Sequence, residues 1–316
     1  MLLTTPKVSV IMAVYNGARY LRQAIDSITV QTFEDFEFVI INDASADDTA
    51  KILASCDDPR IIVLENETNL GLAASLNRGL HAARAEYIAR QDADDVSHRE
   101  RLANQVAFLD ALPQVGVVGT TTEWIDREGS TIRVWRQPMD NPGIQETLLR
   151  YCCLIHGSTM YRRQAIHELR GYDEGMRTAQ DYDLWLRMAE RWDMASLPQV
   201  LYRYRWHPNM ASARRGPQQE RNAEMALDRA IQRRQGYAQC VLVSHPEDMP
   251  VRMGEMSRRR LAQRYLWWSA GARAISRSTA LQFLLIALLL NPTLPEIRRY
   301  VRGIFWRKAG LGDRTC

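Results

Sequence analysis

At 316 residues the chain is long enough for one large domain or two, and its 46% hydrophobic and 25% charged residues are ordinary for a soluble globular protein. Its five cysteines lack the spacing of metal-binding pairs, and Cys152 and Cys153 are adjacent, which argues against a zinc knuckle and favours a reduced, cytoplasmic compartment. The net charge of +4 is unevenly distributed, because arginines are crowded from Arg214 onward. This asymmetry predicts a basic C-terminal part near an anionic partner.

Neither end of the chain reads as a targeting or membrane-spanning segment. Residues 1–17 lack a basic region and a small-residue cleavage site, so we predict no signal peptide. The apolar run Ala280–Leu290 is interrupted by Gln282 and is shorter than the roughly 20 residues that a spanning helix needs.

Apolar runs alternate with segments of helical periodicity along the first part of the chain. The five runs are Val8–Tyr15, Phe36–Ile41, Arg60–Asn66, Glu86–Gln91 and Val115–Asp126. Between the third and fourth runs, Leu72, Leu76 and Leu80 form a helical stripe. Because strands buried on both faces of a parallel sheet read as continuous apolar runs, the pattern predicts an α/β sandwich around a mostly parallel sheet.

Beyond Trp124 this alternation stops. The pattern predicts a hairpin at Arg127–Trp135 and a short strand at His156–Arg163. It also predicts a helix at Gln180–Arg191 and a stretch that ends in a turn at Val200–Asn209. From Gly216 onward the pattern is helical and basic, without a repeat or a low-complexity tract.

The fourth apolar run ends in a cluster of aspartates, Asp92, Asp94 and Asp95. A solvated turn, a phosphate-transferring nucleophile, a calcium loop and a divalent-cation site are the alternatives. The hydroxyl residue that a phosphatase would want is replaced by Val96, and the spacing of a calcium loop is absent. Ligands bind beyond the carboxyl ends of such strands, and uncompensated carboxylates are costly there, which argues against the solvated turn and favours a Mg²⁺ or Mn²⁺ site.

Four further residues are candidates for chemistry. Asp43 ends the second run and is either the cap of the next helix or an acceptor for a nucleobase N–H. Asp181 lies one turn before Leu184 on a predicted helix and is either a general base or an acid favoured by the helix dipole. His207 and His156 are each a metal or phosphate ligand or a packing residue. The glycine-rich fingerprints of dinucleotide sites and P-loops are absent.

Taken together, these segments resemble family 2 glycosyltransferases. The resemblance covers about Lys7 to Ser212 and rests on four stretches in the expected order: "VSVIMAVYNGARYLRQAIDSITVQTFEDFEFVIINDASADDT", "NLGLAASLNRGLHAARAEYIARQDADDVSHRERLANQ", "GYDEGMRTAQDYDLWLRM" and "YRYRWHPNMAS". It implies the GT-A fold, a Rossmann-like and mostly parallel sheet flanked by helices, with a C-terminal helical extension. It also implies an inverting, metal-dependent transfer of a hexosyl group from a nucleoside diphosphate sugar.

The resemblance assigns a nucleotide site at the first two strands and at the aspartate cluster. Asp43 matches the acid that reads uracil, which favours a UDP-sugar, and the base would be walled by Ala13, Val14 and Tyr15. Asn42 stands where the family usually has a second aspartate, so the nucleobase preference is open.

The same resemblance assigns the remaining roles. Asp92 would shape the nucleotide loop, Asp94 would contact the ribose and Asp95 would hold Mn²⁺ or Mg²⁺, with His207 as a further metal candidate. Asp181 matches the catalytic base, although Gln180 replaces the usual glutamate before it.

We therefore predict a catalytic domain over residues 1–213 and a basic helical extension over residues 214–316. The acceptor is expected to be a glycan or a lipid-linked molecule, and no motif indicates nucleic-acid binding. The extension is either a surface for peripheral association with the inner face of the membrane or a helical subdomain packed on the catalytic core. A catalytically silent nucleotide-sugar-binding protein of the same fold is the alternative function.

Overall fold

The computed structural model describes residues 5–207, Met210, residues 216–240 and Leu284. The chain divides into two compact units, Met1–Val241 and Leu242–Cys316. Of the predicted basic extension over residues 214–316, residues 216–240 and Leu284 are described, and the rest of it, including the other residues of the run Ala280–Leu290, lies outside the described residues.

A single twisted sheet organises the first unit. Its strands are β1 (Val8–Val14), β2 (Phe36–Asn42), β3 (Ile61–Glu65), β4 (Tyr87–Arg90), β5 (Val96–Ser97), β6 (Val115–Ile125), β7 (Thr131–Trp135), β8 (Met160–Arg162) and β9 (Asp193–Arg205). They lie in the order β3-β2-β1-β4-β8-β6-β9-β5, and β7 pairs with β6 beside this path.

The predicted mostly parallel sheet is confirmed, with an antiparallel insertion in its middle. Strands β3, β2, β1 and β4 are mutually parallel, and β6 is parallel to β9. Strand β8 runs antiparallel to both β4 and β6, while β5 and β7 are antiparallel to their neighbours. All five predicted apolar runs are strands, and the predicted hairpin is the β6–β7 pair.

Helices cover both faces of this sheet. They are α1 (Ala18–Thr29), α2 (Thr49–Ala54), α3 (Leu72–Ala82), α4 (Arg101–Ala111), α5 (Asn141–Leu148), α6 (Arg163–Glu168), α7 (Gln180–Met188) and α8 (Gly216–Cys240). Because successive strand residues point to opposite faces, Val10 and Met12 pack in the core with α1 and α4, whereas Ile11 packs in the core with α3 and α7. In this way the sheet separates two apolar cores.

Helix α8 belongs to the compact unit that carries the sheet. Its buried stripe, Ala226, Leu227 and Ala230, joins the same core as α7, so the unit continues to Val241 and does not end near residue 213. Within the described residues, no helix combines the length and apolar character needed to cross a bilayer.

The core beneath α3 provides a test of this packing. Leu76 is fully buried between α3 and the sheet, so Leu76→Ala should lower the free energy of unfolding by about 2–5 kcal/mol. Val30 is 64% exposed, and Val30→Ala should change it by no more than about 0.5 kcal/mol. Urea unfolding of both variants measures the difference, and equal effects would contradict the packing of α3 on the sheet.

Candidate functional site

The carboxyl ends of β1, β2 and β4 meet at one edge of the sheet. The N–H of Asp43 donates to Val14 O at 2.8 Å, and the N–H of Gln91 donates to Ile11 O at 3.0 Å. Because the three strands are parallel neighbours, the loops that follow them are brought together. This edge carries most of the candidate residues.

The loops after β1 and β2 are fastened to each other by polar side chains. Asn16, which adopts a left-handed backbone (φ 51°), donates its N–H to Ser45 Oγ at 2.9 Å and accepts the N–H of Ala46 on Oδ1 at 2.8 Å. Asp47 accepts the N–H of Ala18, the first residue of α1, at 3.0 Å and that of Thr49, the first residue of α2, at 3.0 Å. Tyr15, at the start of this region, is 54% exposed, so its ring is available to a ligand.

The Asp43 carboxylate accepts more hydrogen bonds than the sequence suggested. It is 3% exposed; Oδ1 accepts Asn66 Nδ2 at 2.7 Å and Leu70 N at 2.8 Å, and Oδ2 accepts Gly71 N at 2.9 Å. A carboxylate offers about four lone-pair positions, so one on Oδ2 remains for a further donor. Asp43 therefore organises the loop before α3 while retaining one acceptor position.

The half-buried Asp92 forms an ion pair with a buried arginine that sequence reasoning missed. Arg90, the last residue of β4, is fully buried, and its Nη2 lies 2.7 Å from Asp92 Oδ1. Burial raises the pKa of the Asp92 carboxyl above its ordinary value, although the charge of Arg90 opposes this rise. A charged residue within an apolar strand was the signal that could have revealed Arg90.

Asp95 is buried behind the loop. It is 1% exposed, and its Oδ1 accepts the backbone N–H of Arg205 at 2.7 Å. Burial raises the pKa of Asp95 well above its ordinary value, and the charges of Asp94 and Asp92 raise it further.

Asp94 is the member of the cluster that pairs with a histidine. Its Oδ2 lies 2.9 Å from His207 Nε2, across 113 residues of chain, and its side chain is 35% exposed. The contact is a hydrogen bond, and its length also matches the roughly 3 Å between adjacent ligands of an octahedral Mg²⁺ with bonds near 2.1 Å. Within the described part of the chain, no group of three or more histidine, cysteine, aspartate or glutamate side chains could hold a metal. The remaining ligands would have to come from substrate and water.

Arg101, the first residue of α4, is a second buried arginine beside the cluster. It is fully buried, its Nη1 donates to Gly157 O at 2.6 Å, and its guanidinium lies 5.3 Å from the centre of the Tyr202 ring. Burial lowers the pKa of Arg101 to about 10, whereas the charges of Tyr202, Asp92 and Asp95 favour its protonated form. At Gly157 a Cβ would stand 2.6 Å from Asp92 Oδ2, which explains the glycine.

Asp181 occupies the first turn of α7, at the positive end of the helix dipole. Its Oδ1 accepts the N–H of Tyr182 at 2.9 Å, and Cys152 Sγ lies 3.9 Å from Oδ2. Asp183 is 2% exposed and pairs with Arg187 at 2.8 Å. Of the two acids on this helix, Asp181 is therefore the one that is partly exposed.

His156 lies in the core and not in the loop cluster. It is 8% exposed, its Nε2 lies 2.7 Å from the Tyr172 hydroxyl, and its ring packs edge-on against Trp185. Of the two roles predicted for His156, a metal or phosphate ligand and a packing residue, these contacts support the packing residue. Burial raises the pKa of the Tyr172 hydroxyl well above its ordinary value, while the charge of Arg90 opposes this rise.

A family model described as "Glycosyl transferase family 2" matches residues 9–170, just over half of the chain. The chain belongs to glycosyltransferase family 2. The protein EpsE of Bacillus subtilis, named as a glycosyltransferase, is 41% identical over 206 residues, which are 63% of this chain and 73% of EpsE. The O-antigen biosynthesis glycosyltransferase WbnJ of Escherichia coli is 35% identical over 208 residues, 63% of this chain and 80% of WbnJ.

Solved structures share the fold, which confirms the predicted GT-A architecture. S. aureus TarS 1–349 in complex with UDP matches with a TM-score of 0.55 and 20% identity, covering 98% of this chain and 93% of that one. The mannosyltransferase PcManGT of Pyrobaculum calidifontis, in complex with GDP-Man and Mn²⁺, matches with a TM-score of 0.52 and 19% identity, covering 99% and 77%. The family 2 resemblance predicted from the sequence is thereby confirmed.

The ion pair beneath the site of this family 2 chain yields a stability prediction. Arg90→Met leaves the half-buried Asp92 without its cation and should cost about 1–3 kcal/mol in the free energy of unfolding. Arg127→Met removes an ion pair with Glu128 in which both side chains are 56% exposed, and should cost no more than about 1 kcal/mol. Chemical unfolding measures the free energy of unfolding of both variants. Equal losses in the two would contradict a stabilising Arg90–Asp92 ion pair.

Proposed function

We propose that this family 2 chain is an inverting glycosyltransferase that transfers a sugar from a nucleoside diphosphate donor to an acceptor hydroxyl. The observation that carries the proposal is the Asp94–His207 pair in the loop after β4, with Asp43 at the end of the neighbouring parallel strands. This is the edge of a parallel sheet where nucleotides bind. Asp181 would supply the acid–base chemistry.

The donor proposed is a UDP-sugar held at the ends of β1 and β2. The exposed ring of Tyr15 offers a stacking surface, and the preceding Ala13 is half-buried while Val14 is 3% exposed. The remaining lone pair of Asp43 Oδ2 is suited to accept an N–H of the base. Uracil and guanine both present such an N–H, and TarS and PcManGT were crystallised with UDP and GDP-Man respectively, so the base must be tested.

For the cation, the geometry supports a revision of the roles inferred from the resemblance. Asp95, expected to hold the metal, is buried and accepts the N–H of Arg205, whereas Asp94, expected to contact the ribose, is 35% exposed and lies beside His207. We therefore assign Asp94 and His207 to Mn²⁺ or Mg²⁺, whose hard-cation chemistry suits a carboxylate, an imidazole and diphosphate oxygens. When bound, the cation would act as a Lewis acid for the departing diphosphate.

Asp181 is proposed to act as the general base. Its carboxylate takes the proton of the acceptor hydroxyl as that oxygen attacks the anomeric carbon on the face opposite the nucleoside diphosphate. The bond to the diphosphate breaks as the new glycosidic bond forms, so the anomeric configuration inverts and no covalent enzyme intermediate arises.

The acceptor is proposed to be a glycan or a lipid-linked molecule in surface-polysaccharide synthesis, because WbnJ is named for O-antigen biosynthesis. Cytoplasmic location with peripheral association at the inner membrane face remains part of this proposal and rests on the arginines beyond Arg214. A catalytically silent nucleotide-sugar-binding protein would bind donor in the same way without releasing nucleotide.

The reaction is tested with a panel of UDP- and GDP-sugars in the presence of Mn²⁺. We expect one UDP-sugar to raise the melting temperature and to be consumed with release of UDP.

Asp181→Asn should lower this turnover by about 10²- to 10⁴-fold and leave donor binding intact, since only proton transfer is removed. Asp173→Asn, which loses an exposed partner of Arg229, is the matched control and should retain activity. Turnover of Asp181→Asn at the parental rate would overturn the base, and binding without turnover by the parent would support the silent alternative.

The metal assignment predicts that exhaustive chelation abolishes turnover and that Mn²⁺ or Mg²⁺ restores it. Asp94→Asn should weaken Mn²⁺ binding more than Asp95→Asn does, because the Asp94 carboxylate is the exposed one. Titration of Mn²⁺ by electron paramagnetic resonance measures both affinities. Full activity after chelation would refute the metal role, and a larger loss for Asp95→Asn would restore the original assignment.

A further inference from the structure

Arg205 is the last residue of β9 and lies two positions before His207. It is 2% exposed, which is unusual for an arginine. Its main chain donates to Asp95 Oδ1 at 2.7 Å, and its Nε donates to the carbonyl oxygen of Asp94 at 2.8 Å. One residue thus binds the loop of the aspartate cluster at two consecutive positions.

The other end of the Arg205 guanidinium is fixed by two further segments. Its Nη2 donates to Gln23 Oε1 on α1 at 2.7 Å, and its Nη1 donates to Asp126 O, in the β6–β7 turn, at 3.2 Å. The planar group lies 4.5 Å from the centre of the Tyr20 ring, and that ring lies 5.2 Å from the ring of His207. Arg205 therefore supports Asp94 directly and His207 through Tyr20.

The Arg205 side chain binds neutral oxygens and does not form a structural ion pair among the described residues. Its side chain donates to carbonyl and amide oxygens, and within the described residues no carboxylate oxygen lies within salt-bridge distance of it. A planar fork of fixed donors can bind several acceptors at once, whereas the ammonium of a lysine is a point charge on a flexible stem. The guanidinium therefore orients the three segments that it binds: the aspartate loop, α1 and the β6–β7 turn.

We propose that Arg205 is a positioning residue that holds Asp94 Oδ2 and His207 Nε2 at the 2.9 Å separation suited to one divalent cation. The inference rests on the metal site of the proposed function. Groups that orient metal ligands commonly change metal affinity by about 10- to 100-fold when they are altered. Arg205 joins the loop of one ligand to the strand that carries the other.

The test is the affinity of the full-length protein for Mn²⁺, measured by electron paramagnetic resonance without donor, in Arg205→Lys. This variant retains the positive charge and loses the fork, so we expect the dissociation constant to rise about 10- to 100-fold. At saturating Mn²⁺, kcat should return to within a fewfold of the parental value, because the variant weakens ligand positioning and leaves Asp181 in place.

Arg203→Lys is the matched control. Arg203 lies on the same strand, and its side chain donates to Glu123 Oε2 at 2.7 Å and to Gly129 O at 2.8 Å, whereas its main chain pairs with Val96. It should retain parental Mn²⁺ affinity. Gln23→Leu removes one partner of the guanidinium without altering Arg205, and should weaken Mn²⁺ binding in the same direction by a smaller factor; this variant tests the idea if Arg205→Lys does not fold.

The outcomes distinguish this inference from the function on which it rests. If the parent binds Mn²⁺ and both Arg205→Lys and Gln23→Leu bind it equally well, Arg205 has a structural role only and the positioning inference fails alone. Equal weakening in Arg203→Lys would likewise refute it, because the effect would then belong to the strand as a whole. Failure of the parent to bind Mn²⁺ would overturn the metal site first, and the inference with it.

Discussion

Three carboxylates lie within four residues at the end of an interior strand, and the first unit can hold them there because it also buries cations. Arg90 and Arg101 are fully buried and flank the cluster, and Arg205 is 2% exposed behind it. Each arginine comes from a different element, β4, α4 and β9, so the electrostatic balance forms only when the sheet is complete. The order of the strands, with β8 inserted between β4 and β6, is what brings these elements to one edge.

The parallel half of the sheet could be predicted from the sequence because each of its strands is a continuous apolar run. Strand β5 has two residues and leaves no periodic signal, and the antiparallel direction of β8 depends on its pairing with β4 and β6. Strand β9 was expected only as a stretch ending in a turn, although it runs for 13 residues. Local propensity determines where such strands lie but does not determine what they pair with.

The site was predictable as a set of acids but not as a set of contacts. Asp43, Asp94 and Asp181 were selected because they follow strands or begin a helix, and the structure places them there. The engagement of Asp43 with Asn66, Leu70 N and Gly71 N depends on loop backbone, for which a sequence pattern carries no signal. Likewise, the approach of His207 to Asp94 bridges 113 residues, and only the completed β5–β9 pairing produces it.

The distribution of counter-charges explains why a single carboxylate of the cluster is suited to a cation. Asp92 is already paired with Arg90, and Asp95 is buried with its Oδ1 bonded to the Arg205 N–H, whereas its Oδ2 has no hydrogen-bond partner among the described residues. A divalent cation brought to either would compete with an existing partner or would have to enter a dry position. Among the described residues, the Asp94 carboxylate is hydrogen-bonded to the imidazole of His207, and its side chain is 35% exposed. Asp92 and Asp95 thus shape the loop. In the proposed site, the Asp94 carboxylate remains to bind the cation that accompanies the diphosphate.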